Sequence, residues 1–178
     1  PAEPRDSCRM LVLHRDTGAV EFKTFRDIVD YLEPGDLLVA NQTRVMPARL
    51  VGHKPGTGGV AECLLTNRRE DLDALGGAWE CLVRPGKRLK PGSLIEFREG
   101  GLLAPMTAPV VLTAEVGEHL PQRGLRLVRF SAAEGLTLDE AMHKAGHVPL
   151  PPYITEYEGD PEKYQTVFAM RDEHSAAA

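Results

Sequence analysis

Val110-Val111-Leu112-Thr113-Ala114-Glu115-Val116 and Leu125-Arg126-Leu127-Val128-Arg129-Phe130 are the last two of five short strand-like runs in the centre of the chain. The three earlier runs are residues 60–65, 79–83 and 93–97. Turn-rich stretches separate the five runs, and little helix-forming sequence lies between them. Several short strands in this arrangement are typical of a small antiparallel barrel or a sandwich.

The sequence before these runs predicts strands and a helix. Residues 10–14 have the pattern of a short buried strand and residues 19–23 that of a returning strand, on either side of the turn Asp16-Thr17-Gly18, which predicts a hairpin. Four apolar residues then recur at helical spacing and predict an amphipathic helix with one face packed inward: Phe25, Ile28, Val29 and Leu32. Residues 37–40 form a continuous apolar run, which predicts a strand covered on both faces.

Helix-forming sequence returns after the five runs. Thr137-Leu138-Asp139-Glu140 has the pattern of a capping box, and Gly146 is a natural C-cap. The apolar stripe between them consists of Leu138, Ala141, Met142 and Ala145. Asp160-Pro161 has the pattern of an N-cap and a first helical residue. We expect the helix that follows to carry Tyr164, Val167 and Phe168.

The order of these elements predicts an α/β domain with an inserted small antiparallel β-barrel domain. Residues 1–57 would form the first part of the α/β domain, residues 58–134 the barrel, and residues 135–178 the second part. The first boundary falls in the glycine-rich stretch 52–59, which suits a hinge. The final part is too short to complete an α/β domain, so we expect the chain to be a fragment.

Composition narrows the class of protein. The 178 residues are 42% hydrophobic and 26% charged, as in globular proteins. The sequence contains no run of about 18 apolar residues, so it predicts no membrane span. Cys8, Cys63 and Cys81 are far apart and lack metal-ligand spacing, so we expect reduced thiols in or near a core, no metal site and a cytoplasmic location.

The net charge of −5 argues by itself against a nucleic-acid partner, but the charges are segregated. Residues 37–61 and 81–95 contain no acidic side chain. The second stretch carries four cations in a turn between two strands: Arg84, Lys87, Arg88 and Lys90. These side chains could contact an RNA backbone, or they could form an ordinary solvated turn.

Two further segments contain candidate site residues. In GHVPLPPYI, residues 146–154, three prolines restrict the backbone and present His147 and Tyr153. His147 suits general acid–base chemistry, or it could simply hold the loop by a hydrogen bond. Tyr153 and Tyr164 could stack on a base or pack with the hydroxyl at the surface. Gln165 and Thr166 could bind a polar ligand.

The segment Asn41-Gln42-Thr43-Arg44 directly follows the apolar run 37–40. Ligands of α/β sheets collect at the carboxyl ends of strands, where these side chains would lie. The planar guanidinium of Arg44 suits a carboxylate or phosphate. The alternative is a surface turn in which Asn41 bonds its own backbone.

Four motifs in one order resemble the S-adenosylmethionine:tRNA ribosyltransferase-isomerase family of queuosine biosynthesis. They are PGDLLVANQTRVMPARL at residues 34–50, RPG…KPG within 84–92, GHVPLPPYI at 146–154 and YQTV at 164–167. The resemblance covers essentially the whole chain and corresponds to the N-terminal portion of that family. The first and third motifs are long and specific.

The resemblance implies a reaction. The ribosyl part of S-adenosylmethionine is transferred to the aminomethyl group of a deazaguanine at the tRNA wobble position and isomerised, giving epoxyqueuosine tRNA, adenine and methionine. It also implies an α/β domain with an inserted β-barrel. S-adenosylmethionine would be a co-substrate, with no metal or other cofactor, and the protein would be a monomer that binds tRNA and no membrane.

The resemblance also assigns expected roles. His147 and Arg44 become the catalytic candidates, with His147 handling a proton. The expected substrate-binding residues are Asn41, Thr43, Arg49, Tyr153, Tyr164, Gln165 and Thr166. The residues expected to contact the anticodon stem-loop are Arg84, Lys87, Arg88 and Lys90.

The sequence departs from the family at two places. The family usually has Asp where Gln42 stands, and loss of that carboxylate could remove an acid–base group or a ribose hydrogen-bond acceptor. The family also continues beyond the alanines at 176–178 with a Pro-Thr-Ala-Gly-Leu-His-Phe segment and a further α/β half. A non-catalytic or altered-substrate paralogue acting as a tRNA-binding module therefore stays open as the alternative.

Overall fold

The computed structural model describes residues 2–73, 77–122, 124–150, 154, 160–169 and 174–175. Its strands are β1 Arg9–Leu13, β2 Val20–Thr24, β3 Arg44–Val45, β4 Arg49–His53, β5 Val60–Arg68, β6 Ala78–Arg84, β7 Ser93–Arg98, β8 Val110–His119, β9 Leu125–Ala132, β10 Gly146–His147 and β11 His174–Ser175. The α-helix α1 spans Leu138–Ala145. Short 3-10 helices span Arg5–Ser7, Phe25–Tyr31, Gly101–Leu103 and Pro161–Tyr164.

Six strands close into an antiparallel barrel in the order β4-β5-β6-β9-β8-β7, and β7 pairs back onto β4. The closing pair joins His53 to Glu96. This confirms the predicted antiparallel barrel. It also decides against the sandwich, because a sandwich leaves sheet edges that a closed barrel does not have.

The barrel interior is filled by one side chain from every second position of each strand. Along β5 the inward positions Ala61, Cys63 and Leu65 are fully buried, while their neighbours are at least partly exposed. The bulkiest fully buried side chains are Phe97, Leu50, Leu65, Leu89, Ile95 and Leu112. Each such side chain stabilises the fold by roughly 1.5–3 kcal/mol when removed from water.

Helix α1 closes one end of this barrel. Ala141, Met142 and Ala145 are buried in the barrel core cluster, and Leu138 packs against it. The predicted capping box is confirmed, because the Glu140 carboxylate accepts hydrogen bonds from the Thr137 backbone N–H and hydroxyl. Met142, at the centre of the apolar stripe, therefore points into the barrel as the periodicity predicts.

Gly146 ends α1 as predicted, but it does so in an extended conformation (φ −91°) rather than a left-handed one. The requirement for glycine here is steric. A Cβ on Gly146 would lie 2.2 Å from the backbone oxygen of Pro47 and 2.7 Å from that of Met142. The chain after the helix therefore runs directly against the segment that enters the barrel.

The glycine-rich stretch 52–59 forms a hairpin turn within the barrel, so its interpretation as a hinge is wrong. Its first residues belong to β4, and Val51 to His53 pair with β5 on the far side of the turn. The barrel strands thus extend from Arg49 to Ala132, beginning before the boundary at residue 58. The pairing of β4 with both β5 and β7 holds this stretch in the sheet.

In the amino-terminal segment, the hairpin is confirmed and two other predictions are wrong. β1 pairs with β2, with Leu11 opposite Phe22. Residues 25–31 form a 3-10 helix, and Val29 on its apolar stripe is 67% exposed. Residues 37–40 form no strand, and Val39 is 88% exposed. Periodicity indicates an apolar face, but the described residues offer no surface for these side chains to cover.

The helix predicted after Asp160 is shorter than expected. The Asp160 carboxylate accepts from the Glu162 backbone N–H as an N-cap should, and Pro161 follows. The resulting 3-10 helix ends at Tyr164, so Val167 and Phe168 lie outside it and are exposed.

The three thiols differ in accessibility. Cys63 and Cys81 are buried inside the barrel, whereas Cys8 is exposed rather than in or near a core. Burial raises the pKa of Cys63 to about 12 and that of Cys81 well above its ordinary value. Because the thiolate is the reactive form, both barrel thiols are chemically protected.

We expect a thiol reagent to modify Cys8 alone in the folded protein and all three cysteines after denaturation. Counting modified thiols by mass spectrometry checks this, and a Cys8→Ser variant should leave the folded protein unmodified. Rapid modification of Cys63 or Cys81 without denaturant would show that the barrel opens.

Within the described residues, no helix has both the length and the apolar character needed to cross a membrane.

Candidate active site

His147 lies at the end of the barrel that α1 closes. Strand β10 pairs with the start of β4, with His147 opposite Arg49 and Gly146 opposite Leu50. The imidazole also lies against the 3-10 helix at Gly101, where a Cβ would come within 2.1 Å of His147 Nε2. Gly101 has φ +60°, so glycine suits this position both by conformation and by space.

The surroundings of His147 favour its neutral form. Burial lowers the pKa of His147 first, and the positive charge of Arg49 lowers it further. Arg49 is in turn held by Glu62, whose carboxylate oxygen lies 3.1 Å from the Arg49 guanidinium. A half-buried imidazole that is neutral near pH 7 can accept a proton, as a general base must.

Replacing Arg49 by leucine should raise the pKa of His147. The substitution removes a nearby positive charge and leaves the Glu62 carboxylate without its partner, and both changes favour the imidazolium. NMR titration of the imidazole protons measures the shift directly. Lys87→Leu removes the same charge at a remote loop and should leave the His147 titration where it was. An unchanged or lowered pKa in Arg49→Leu would contradict the arrangement.

Arg44 belongs to a second cluster. Its guanidinium forms an ion pair with Glu162, and β3 pairs in parallel with β11. Gln165 is 4% exposed. Its side-chain amide forms two hydrogen bonds with the backbone of Val45: the amide oxygen accepts from the N–H at 2.8 Å, and the amide nitrogen donates to the carbonyl at 2.9 Å. Gln165 therefore fixes the short strand that carries Arg44.

The remaining predicted binding residues lie around this second cluster. The Asn41 side chain accepts from the Thr43 backbone N–H at 2.8 Å, which is the local turn that the sequence left open. The Thr166 hydroxyl accepts from the Phe168 backbone N–H at 3.4 Å. Tyr164 is partly exposed at the end of its 3-10 helix. Tyr153 lies outside the described residues.

The four loop cations are exposed at the other end of the barrel, and none pairs with an acidic group among the described residues. The loop itself is well anchored. Leu89 is fully buried, and its backbone N–H donates to the Pro85 carbonyl at 3.2 Å. Arg126, which is 4% exposed, donates to the Gly86 carbonyl at 3.1 Å and to that of Gly117 at 3.3 Å.

The structure thus joins His147 with Arg49 and joins Arg44 with Gln165. Among the loop cations, Arg84 lies opposite Glu62 in the β5–β6 register. Sequence reasoning missed the supporting residues Glu62, Glu162, Gly101 and Arg126. Glu62 and Glu162 had no signal beyond their charge. Gly101 belongs to the pair Gly100-Gly101, which predicts a turn. The pair does not indicate that His147 lies against it. Arg126 lies in an apolar strand, where a buried charge is unusual and a partner could be expected.

The sequence that builds this barrel and these side-chain clusters matches one protein family along its whole length. The family described as queuosine biosynthesis protein matches residues 1–178, and the chain belongs to this family.

Two curated relatives carry the name S-adenosylmethionine:tRNA ribosyltransferase-isomerase. That of Desulfitobacterium hafniense is 47% identical over 178 residues, and that of Symbiobacterium thermophilum is 45% identical. Each match covers 100% of this chain and 47% of the relative. The chain therefore spans about half the length of the curated relatives that it matches.

A solved structure is also similar, the crystal structure of S-adenosylmethionine tRNA ribosyltransferase from Thermotoga maritima. It is 40% identical with a TM-score of 0.33, and the match covers 73% of this chain and 39% of that one.

Proposed function

We propose that this chain forms part of an S-adenosylmethionine-dependent tRNA ribosyltransferase-isomerase. The reaction would move and isomerise the ribosyl group of S-adenosylmethionine onto an aminomethyl-deazaguanine at the tRNA wobble position. The products would be epoxyqueuosine tRNA, adenine and methionine. The observation that carries the proposal is the family match over every residue, including the segments that build both side-chain clusters and the cationic loop.

The chemistry requires a base near the sugar. The sulfonium of S-adenosylmethionine is a good leaving group and acidifies the proton on the neighbouring carbon. His147 is suited to take that proton, because its lowered pKa keeps the imidazole neutral near pH 7. The donor supplies its own leaving groups, so we propose S-adenosylmethionine as a co-substrate and no metal or other cofactor.

Polar residues of the second cluster would orient the substrates. Arg44 can hold a carboxylate of the donor or a tRNA phosphate by exchanging its partner Glu162, which is itself exposed. Asn41, Thr43 and Thr166 are within the same segments and would bind polar groups of the donor. Gln165 would contribute by fixing Val45 beside Arg44. The tyrosines Tyr153 and Tyr164 would shape the base pocket, and Arg49 would tune His147.

We propose that the segments outside the barrel belong to one α/β domain. Three observations support this. The parallel pair β3–β11 joins the amino-terminal and carboxy-terminal segments, and parallel pairs are typical of α/β sheets. Large apolar side chains are exposed in the amino-terminal segment, with Phe22 at 80% and Leu37 at 86%. The curated relatives are about twice as long as this chain, which leaves sequence that could cover these side chains.

The proposed partners are tRNA and S-adenosylmethionine, and the proposed location is the cytoplasm. We further propose that the protein acts as a monomer, because one chain carries both the His147 end and the cationic loop.

Adenine release from S-adenosylmethionine tests the proposal. The substrate is tRNA bearing the aminomethyl-deazaguanine, and two proteins are compared. One is this chain. The other is a chimera in which its 178 residues replace the matching residues of the Desulfitobacterium hafniense relative. We expect release by the chimera, at the rate of that relative within about tenfold.

No release by the chimera, with tRNA binding retained, would overturn the proposal and favour the tRNA-binding module. Gln42→Asp in the same chimera then asks whether the departure at this position is responsible. Recovery of adenine release in that variant would place this chain among paralogues that have lost a required carboxylate.

A further inference from the structure

The seam that closes the barrel is shared by two strands. β5 occupies one edge of β4, so β7 and β10 both pair with the other edge. β7 pairs there at His53, the last residue of β4, whereas β10 pairs at Arg49 and Leu50, the first two. The chain after β7 therefore gives way to β10, and the 3-10 helix Gly101–Leu103 that follows β7 lies against His147.

Gly101 contacts one side of the His147 imidazole. A Cβ on Gly101 would lie 2.1 Å from Nε2 and 2.9 Å from Cδ2. Non-bonded heavy atoms pack best at about 3.5–4.0 Å, so not even one carbon atom fits between Gly101 and this side of the ring. A substrate atom therefore cannot reach Nε2 from there. The other ring nitrogen, Nδ1, lies across the ring from the Nε2–Cδ2 bond.

The turn that carries Gly101 is held in place. The Gly100 backbone N–H donates to the Lys144 carbonyl at 3.0 Å, and the Lys144 ammonium lies 2.5 Å from a Glu99 carboxylate oxygen. The Glu99 backbone N–H also donates to the Pro109 carbonyl at 3.0 Å. Gly101 cannot move away from the imidazole without breaking these contacts with the end of α1 and with the returning chain.

The chain before His147 is held equally closely. A Cβ on Gly146 would lie 2.2 Å from the Pro47 carbonyl oxygen, so β10 cannot shift toward that segment. The Ala145 carbonyl oxygen lies 2.6 Å from the point where a Gly101 Cβ would be, beside Nε2. A neutral imidazole has a proton on one nitrogen and a lone pair on the other. A carbonyl oxygen beside Nε2 favours the proton there, which leaves the lone pair on Nδ1.

We infer that Gly101 is a positioning residue for the proposed reaction and that Nδ1 is the atom of His147 that takes the proton. The absence of a side chain at Gly101 lets the Nε2–Cδ2 side of the ring lie against the turn, which directs Nδ1 toward the substrate. This inference rests on the proposed function for the proton-transfer step. In that step the Nδ1 lone pair forms the new N–H bond, and the electron pair of the broken C–H bond stays on the carbon next to the sulfonium.

The first test identifies the nitrogen. Proton–nitrogen correlation NMR on this chain, with isotope-labelled histidine, distinguishes a protonated ring nitrogen from an unprotonated one, and His147→Gln assigns the signals by their absence. While the ring is neutral, we expect Nε2 to carry the proton and Nδ1 to be unprotonated. A neutral ring with its proton mainly on Nδ1 would overturn the assignment.

The second test displaces the ring. Gly101→Ala and Gly101→Asn both place a Cβ where the imidazole lies, and both should raise the pKa of His147, because burial is the main cause of its lowering. Asparagine tolerates a positive φ better than alanine, so the pair separates the clash from backbone strain. The control Gly135→Ala has φ +82° with nothing within 4 Å of its Cβ, and it should leave the His147 titration unchanged.

These variants leave in place both ion pairs of the elements packed around the ring, Arg49 with Glu62 and Glu99 with Lys144, so a shift in the pKa reports exposure of the ring to water. An unchanged titration in both Gly101 variants overturns the contact. A shift in the alanine variant alone, or an equal shift in the control, would assign the effect to strain and also overturn it.

The third measurement connects the position of the ring with the reaction. In the chimera, both Gly101 variants should lower kcat about 10–100-fold and leave KM unchanged, because a misplaced base affects the proton transfer and not substrate binding. A raised KM with kcat unchanged overturns the positioning role. Failure of the unaltered chimera to release adenine would remove the proposed reaction, whereas the two NMR measurements need no turnover and decide the orientation of His147 by themselves.

Discussion

Gly52→Ala should open the seam that closes the barrel. Gly52 is buried in β4, and a Cβ there would lie 2.3 Å from the Glu96 carbonyl oxygen and 2.7 Å from Phe97 Cδ1. The first of these neighbours is backbone of the closing strand β7, so the clash cannot be relieved by rotating a side chain. We expect the free energy of unfolding to fall by about 3 kcal/mol, which is the upper end of the usual cost of overpacking a core.

Thermal unfolding followed by circular dichroism measures this effect, and the expected drop in Tm is roughly 6–12 °C. Gly59→Ala is the matched control in the same hairpin. A Cβ on Gly59 meets only the Thr57 hydroxyl at 3.7 Å, and its φ is not positive. A Tm for Gly52→Ala equal to that of the control would mean that β4 and β7 do not approach as closely as the structure has them.

His147→Gln should reduce the turnover of the chimera by about 10²–10⁴-fold, the usual contribution of a general acid or base. Glutamine keeps a polar side chain of similar reach but cannot take a proton near neutral pH. His143→Gln is the control, since His143 is an exposed histidine of the same segment at the end of α1. Adenine release is measured over a range of substrate concentrations that reaches saturation, so that kcat and KM can be separated.

The pH profile distinguishes a proton-transfer role from a structural one. Because the pKa of His147 is lowered, the unaltered chimera should keep its rate as the pH falls through the ordinary histidine range and lose it only below the lowered value. His147→Gln should lack this acidic limb. If it retains the same limb, another group is the base, and His147 only supports the loop.

The sequence by itself determined the elements that are stabilised by contacts between residues close together in the chain. The Asp16-Thr17-Gly18 turn predicted the β1–β2 hairpin, and Thr137 with Glu140 predicted the start of α1. The five strand-like runs in the centre predicted antiparallel strands, because alternate side chains of a strand face one side and turn-rich stretches with little helix-forming sequence separate the runs. These features depend on residues a few positions apart in the chain, so a single sequence contains them.

The same local signals failed where burial needs a distant surface. The stripe through Val29 and the run 37–40 have the expected periodicity and apolar character, yet the described residues do not cover them. A helical or strand pattern in the sequence indicates which face of the element would be buried. It does not indicate which other part of the protein would cover that face. The strand β4 was missed for a related reason, since its glycine at position 52 weakened the strand signal while serving the close contact with β7.

For the candidate site, the sequence by itself determined which residue types were available: a histidine in a proline-rich segment, an arginine after an apolar run and four cations in a turn. Only the tertiary structure decided their neighbours. The pairing of β10 with β4 places Arg49 beside His147. Gln165 contacts Val45 although it lies 120 positions further along the chain. Such contacts are fixed by the closing of the barrel and by side-chain packing between distant segments, and no local pattern encodes them.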